Sequence, residues 1–146
     1  MRDQRYSFEI GHSYLSYEFV SEGPKGRIVK QVKYTEIEDK GFYNLGFGDK
    51  KDDEDDFDDE VISDNNDSIR ILATVAATVY HFTEHNPNVY VFAQGNNKAR
   101  TRLYRIGLSN HLEEIKIDFI LLGYINNSWE DYQKNRDYSA FLITRK

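Results

Sequence analysis

The stretch "IRILATVAATVYHFTEHNP", residues 69–87, limits the fold more than any other part of the chain. At helical spacing Ile69, Leu72, Ala76 and Val79 fall on one stripe, and Ile71, Val75 and Phe82 fall on another. A helix apolar on two sides loses too much burial at a surface, so it is expected to lie centrally against a sheet. The small Ala73, Ala76 and Ala77 allow that close approach. Upstream, "SDNNDS" supplies several residues able to cap the helix start, and Asn86 with Pro87 stops it.

The sheet has to come from the flanking segments. "YLSYEFV" (14–20) and "IVKQVKYTEI" (28–37) are rich in β-branched and aromatic residues and flank the turn "SEGPKG", so they predict a hairpin. "FYNLGFG" (42–48) alternates Tyr43, Leu45 and Phe47 on one face and extends the hairpin to a meander, with "YSFEI" (6–10) as a short edge strand. "NVYVFAQG" (88–95) is a continuous apolar run and reads as a buried strand. A second helix follows from about Asn97, with Ala99, Leu103 and Ile106 inward and Gly107 suited to its left-handed C-terminal position. Ser109 or Asn110 with Glu113 can cap a further short turn. "DFILLGYI" (118–125) and "SAFLITRK" (139–146) complete the sheet, and "NNSWEDYQKNRDY" between them reads as a polar loop. The expected fold class is α+β: a mixed, largely antiparallel sheet with two main helices in the order β-β-β-α-β-α-β-β.

A chain of 146 residues fits one globular domain spanning 1–146. The absence of cysteine excludes disulfides, thiolate catalysis and cysteine metal sites. No apolar run approaches the roughly 18 residues needed to span a bilayer, and "MRDQRYSFEI" is too polar for a signal peptide, so a cytoplasmic protein is expected. The formal charge of −6 is unevenly placed. Residues 49–60, "DKKDDEDDFDDE", hold nine of the 25 acids and two of the 19 bases, leaving 16 acids against 17 bases elsewhere. The acidity is therefore local, and residues 49–66 are expected to form a solvated, disordered loop.

Against that acidic segment stands "QGNNKARTRLYRIGLSN", residues 94–110. A strand, a glycine, two asparagines and a helix start form a recurring cradle for phosphate or carboxylate, because the first helical amides lack partners. Gly95, Asn96, Asn97 and Lys98 would form it, and Arg100, Arg102 and Arg105 would add cations suited to oxygen anions. Lys98, Arg102 and Arg105 share one face while Arg100 points away. The same surface can instead be a solvated face, or can dock a protein or RNA. "HFTEH" matches the H-x-x-E-H pattern of inverted-motif zinc proteases, in which His81 and His85 would reach one ion while Glu84 acts as base. Its place on the last helical turn favours no metal, since histidines there also answer the helix dipole.

Two resemblances follow from these segments. The element order, with Asn96, Ala99, Leu103, Tyr104 and Gly107 in the second helix, resembles the GNAT acetyltransferase superfamily. That resemblance implies acetyl-coenzyme A as cofactor, contacted by Asn96, and Tyr104 as the proton donor to the leaving thiolate. Leu103 falls one residue later than the family pattern, and "DDFDDEVISDNNDS" stands where the family carries a glycine-rich pyrophosphate loop. The whole chain also resembles an uncharacterised bacterial domain family, through "SYEFVSEGPKGRIVK", "TVAATVYHFTEHNP" and "KARTRLYRIGL".

The leading expectation is a non-enzymatic interaction module with no cofactor, one member of a bacterial toxin–antitoxin-like or defence gene pair. It would bind a protein partner, with RNA or a second copy of the chain as alternatives, through the basic helix. Net acidity disfavours duplex DNA. The competing expectation is a GNAT-like acyl-coenzyme A-dependent acyltransferase or a degenerate relative.

Overall fold

A computed structural model describes residues 4–38, 41–50, 57–58, 65–95 and 97–146. The fold is α+β, with mixed and mostly antiparallel strand pairing. The chain divides into two compact units, Met1–Thr35 with Gly46–His85 and Glu36–Leu45 with Asn86–Lys146. None of the described helices is long and apolar enough to cross a membrane.

The first unit contains strands β1 (Glu9–Ile10), β2 (Ser16–Gly23) and β3 (Gly26–Glu36), and the second half of β4 (Phe42–Lys50). It also holds the short β5 (Phe57–Asp58) and helix α1 (Ser68–His85). The predicted hairpin is β2–β3, closing at Gly23↔Gly26. Asn65 seats this turn: its side-chain oxygen accepts from Lys25 N at 2.7 Å and its amide donates to Gly26 O at 2.8 Å. Tyr17, Phe19 and Ser21 alternate inward along β2, and Val32 and Tyr34 do so on β3. Tyr34 stacks on Phe82 of α1 at 4.1 Å, and its hydroxyl pairs with Thr78 at 2.8 Å.

Helix α1 differs from the two-sided expectation. Ile71, Thr74, Val75, Thr78, Val79, Phe82 and Thr83 form one broad buried face and Ala73 is buried on the other side, but Ile69, expected inside, is 64% exposed. Threonine replaces aliphatic residues inside because each hydroxyl donates to a carbonyl of the preceding turn: Thr74 to Arg70, Thr78 to Val75 and Thr83 to Val79, each at 2.7 Å. Each hydroxyl has an acceptor within the helix, and Thr74 and Thr78 also pair with Tyr6 N and the Tyr34 hydroxyl.

Of the acidic stretch, Asp49 and Lys50 end β4 and pair with Phe57–Asp58 of β5, while the Lys30 ammonium, fully buried, is ion-paired with Asp49. Residues 51–56 and 59–64 lie outside the described residues, so the expected disordered loop falls mostly there. Within its limits Asn65 is buried, and just beyond it Asp67 accepts from the hydroxyls of Tyr6 and Ser21, each at 2.5 Å.

The second unit contains the first half of β4, then β6 (Tyr90–Ala93), α2 (Lys98–Asn110), α3 (Leu112–Asp118), β7 (Phe119–Ile125), β8 (Ser128–Asp131) and β9 (Ala140–Arg145). The strand order is β4–β6–β9–β7–β8. β4 and β6 run parallel at Phe42–Leu45 against Tyr90–Ala93, and the other pairings are antiparallel. Three features correct the sequence reading. The polar loop after residue 125 starts with a strand, because Asn126 and Asn127 adopt left-handed backbone angles (φ 52° and 64°) and turn β7 directly into β8. Gly107 lies inside α2, which runs on to Asn110, and its φ is not positive. The short turn after α2 is a separate helix, α3, packing Leu112 and Ile115 inward.

Candidate functional site

Helix α2 starts where the sequence places it. The Asn97 side chain accepts from Arg100 N at 2.8 Å, and the Thr101 hydroxyl donates to Asn97 O at 3.0 Å. Gly95 is required just upstream: a Cβ there would meet Thr101 N at 2.4 Å, because the chain leaving β6 folds tightly onto the first helical turn. Asn96, the residue the GNAT resemblance assigns to coenzyme A, lies outside the described residues. The Asn97 cap already takes one of the first-turn amides that an anion would need.

The rotation of α2 about its axis overturns the expected inward face. Arg100 and Tyr104 are inside, each 7% exposed, whereas Ala99 and Ile106 are exposed and Leu103 is half-buried. Arg100 and Tyr104 are one turn apart and share a face. The Tyr104 ring lies edge-on to Phe141 of β9 at 6.4 Å, which gives an aromatic ring more buried area than the Ala99 methyl would gain. Burial raises the Tyr104 hydroxyl pKa, with the nearby Arg100 charge opposing that rise, so the phenol stays protonated.

The cations therefore divide. Lys98 and Arg102 are exposed on the outward side of α2. Arg105 is committed within its own unit: its guanidinium is ion-paired with Asp137 and donates to Arg136 O at 3.4 Å. Tyr132 reinforces that region by donating to Arg105 O at 3.1 Å and pairing with Ser109 at 2.8 Å. The outward face of α2 thus carries Lys98, Ala99, Arg102 and Ile106, an apolar stripe flanked by two cations.

The second sequence candidate lies at the end of α1, in the other unit. No group of three or more histidine or acidic side chains is placed to hold a metal among the described residues, so the third ligand that the zinc-protease pattern needs beside His81 and His85 is not found there. The two histidines are nonetheless close, with ring centres 4.5 Å apart. His81 Nδ1 is hydrogen-bonded to the Tyr17 hydroxyl at 2.8 Å, and His85 Nδ1 donates to His81 O at 3.0 Å. Tyr14 stacks on His85 at 4.1 Å, and Phe8 meets Tyr17 and His81 edge-on. Burial lowers the pKa of His81 and His85 adds to the effect, while Glu84 opposes it. The aromatic partners were missed in the sequence because Tyr14 and Tyr17 read there as ordinary strand residues. Tyr14 in fact sits in a 3-10 turn (His12–Tyr14), in which Ser13 and Tyr14 both have positive φ.

Among families of known sequence, the model of a family of unknown function (DUF6934) matches residues 2–146. No curated protein and no solved structure matches the chain.

Proposed function

The chain belongs to the DUF6934 family, and from that premise we propose that it is a non-enzymatic module that binds a protein partner through the outward face of α2. The single observation that carries this reading is the inverted face of that helix. Ile106 is 42% exposed and Ala99 is exposed beside the free-standing side chains of Lys98 and Arg102, while an arginine and a tyrosine occupy the buried side. An apolar stripe left in water beside cations suits a partner whose surface is apolar and acidic. Apolar contact supplies affinity, and the charges supply orientation and rate. Arg100 and Arg105, which the sequence adds to this surface, are not part of it in this reading.

The partner expected is the product of an adjacent gene, as in two-gene toxin–antitoxin or defence modules. The test is titration of that purified product into this chain. Arg102→Glu is expected to weaken binding by about tenfold or more and to steepen the loss with the partner's acidity retained. Ile106→Asp should weaken it comparably with the fold intact by circular dichroism. Binding that ignores both substitutions, or no binding of the adjacent product, sinks the proposal.

A second reading, a GNAT-like acyl-coenzyme A-dependent acyltransferase, is favoured by one feature, the Tyr104 phenol, which burial keeps in the protonated form a proton donor starts from while making it a weaker acid. A titration of acetyl-coenzyme A that produces neither heat nor a rise in melting temperature removes it.

A further inference from the structure

The end of α1 carries an arrangement that neither the partner surface nor the acyltransferase reading uses. His81 and His85 are four residues apart on one helix, so their imidazoles project from the same face. Both Nδ1 atoms are engaged, one with the Tyr17 hydroxyl and the other with the His81 carbonyl oxygen. Because a carbonyl can only accept, the proton of His85 is on Nδ1 and its Nε2 presents a lone pair. His81 can take the same form by donating Nδ1–H to the Tyr17 oxygen. Tyr17 is fully buried and burial keeps its phenol protonated, so a metal at His81 Nε2 would require this hydrogen bond to run from His81 Nδ1–H to the Tyr17 oxygen.

The spacing of the rings fits a shared ion. Two imidazoles bound through Nε2 at about 2.1 Å place their ring centres about 4.6 Å apart on adjacent positions of an octahedral ion and about 5.3 Å apart on a tetrahedral one. The observed separation is 4.5 Å, with 38° between planes. Orientation of ligating histidines by hydrogen bonds at the far nitrogen is the usual means of fixing tautomer and aim. The surroundings are built rather than incidental: Ser13 and Tyr14 hold consecutive left-handed conformations (φ 57° and 60°), and that turn lays the Tyr14 ring over His85. Non-glycine residues rarely adopt this geometry, and it gathers at ligand sites. Of the charges nearby, Glu84 favours a cation, and Arg5, whose guanidinium lies over Phe8, opposes one.

We propose that His81 and His85 together bind one divalent transition-metal ion of the zinc, nickel or copper class through their Nε2 atoms, with water filling the remaining positions. This differs from the sequence motif, because Glu84 is neither ligand nor base in it. With two protein ligands and open positions, the site is a modest binder rather than a closed structural one.

The test uses the full, tag-free chain after treatment with chelator, titrated calorimetrically with zinc chloride and, separately, nickel sulfate. One site per chain is expected. His85→Ala, whose side chain is exposed, should lower affinity by about tenfold or more, and Tyr17→Phe, which keeps the ring but removes the hydroxyl, by about tenfold. In the histidine ¹⁵N spectrum zinc should perturb Nε2 of both residues and leave Nδ1 protonated. Affinity unchanged in His85→Ala, zinc heats that vanish when residues 52–56 are neutralised, or no heat at millimolar metal would each overturn the proposal.

Discussion

The backbone carbonyl of Asn65 lies where a side chain on Gly23 would have to begin: a Cβ on Gly23 would stand 2.1 Å from that oxygen. Asn65, 1% exposed, reaches across to hold the β2–β3 turn through Lys25 N and Gly26 O, and its amide also approaches Ser21 at 3.2 Å. Gly23→Ala is therefore expected to destabilise the protein by about 1–3 kcal/mol through overpacking against backbone that cannot rotate away. Asn65→Ala should cost about 1–3 kcal/mol, since it removes the side chain that ties the turn at Lys25 and Gly26 to the buried Ser21. Urea unfolding of both variants checks this, and a loss under half a kcal/mol for Gly23→Ala would show that the turn relaxes freely.

The β7–β8 turn makes a different prediction. With Asn126 and Asn127 both left-handed, Asn127→Gly should leave stability unchanged or raise it, because glycine carries no steric cost there. Asn127→Val should cost about 1–2 kcal/mol, the penalty for a β-branched residue in that region. Thermal melts of the two variants, compared with the parent, separate the outcomes.

That turn also shows what was legible in the sequence and what was not. The strands β2, β3, β6, β7 and β9 were readable because their apolar and aromatic residues alternate or run together between clear breakers. β8 was not, because "SWED" is polar apart from Trp129, and the evidence for a hairpin sits in the backbone tolerance of two asparagines. The phase of α2 failed for a related reason. Apolar residues are not bound to lie inside, and long side chains such as Arg100 can bury their stems, so Ala99, Leu103 and Ile106 pointed the wrong way. The histidine pair was visible as a spacing, but its partners, Tyr14 and Tyr17, come from a distant segment that only tertiary structure brings alongside.

The divided roles of the α2 arginines are directly testable. Arg100→Ala should destabilise the chain by about 1–3 kcal/mol, because it removes a buried stem packed beside Tyr104. Arg102→Ala, fully on the outward face, should change stability by no more than about 0.5 kcal/mol. Denaturant midpoints measured at equal m-values decide the matter. Equal effects for the two substitutions would mean that α2 is not rotated as described.

Acid should weaken the first unit through His81. Its folded-state pKa is lowered, first by burial and then by the neighbouring His85, while the unfolded chain titrates near the ordinary histidine value of about 6.5. Between the folded and unfolded values the unfolded state binds more protons, so the stability gained from keeping His81 neutral is fully present above about pH 6.5. It is lost progressively as pH falls through that value toward the folded pKa. Unfolding free energies measured from pH 7.5 down to pH 5 should therefore decline in the parent. The decline should be shallower in His81→Gln, which retains a hydrogen-bonding side chain toward Tyr17 but cannot take up the proton. A slope that survives His81→Gln would place the acid sensitivity elsewhere in the chain.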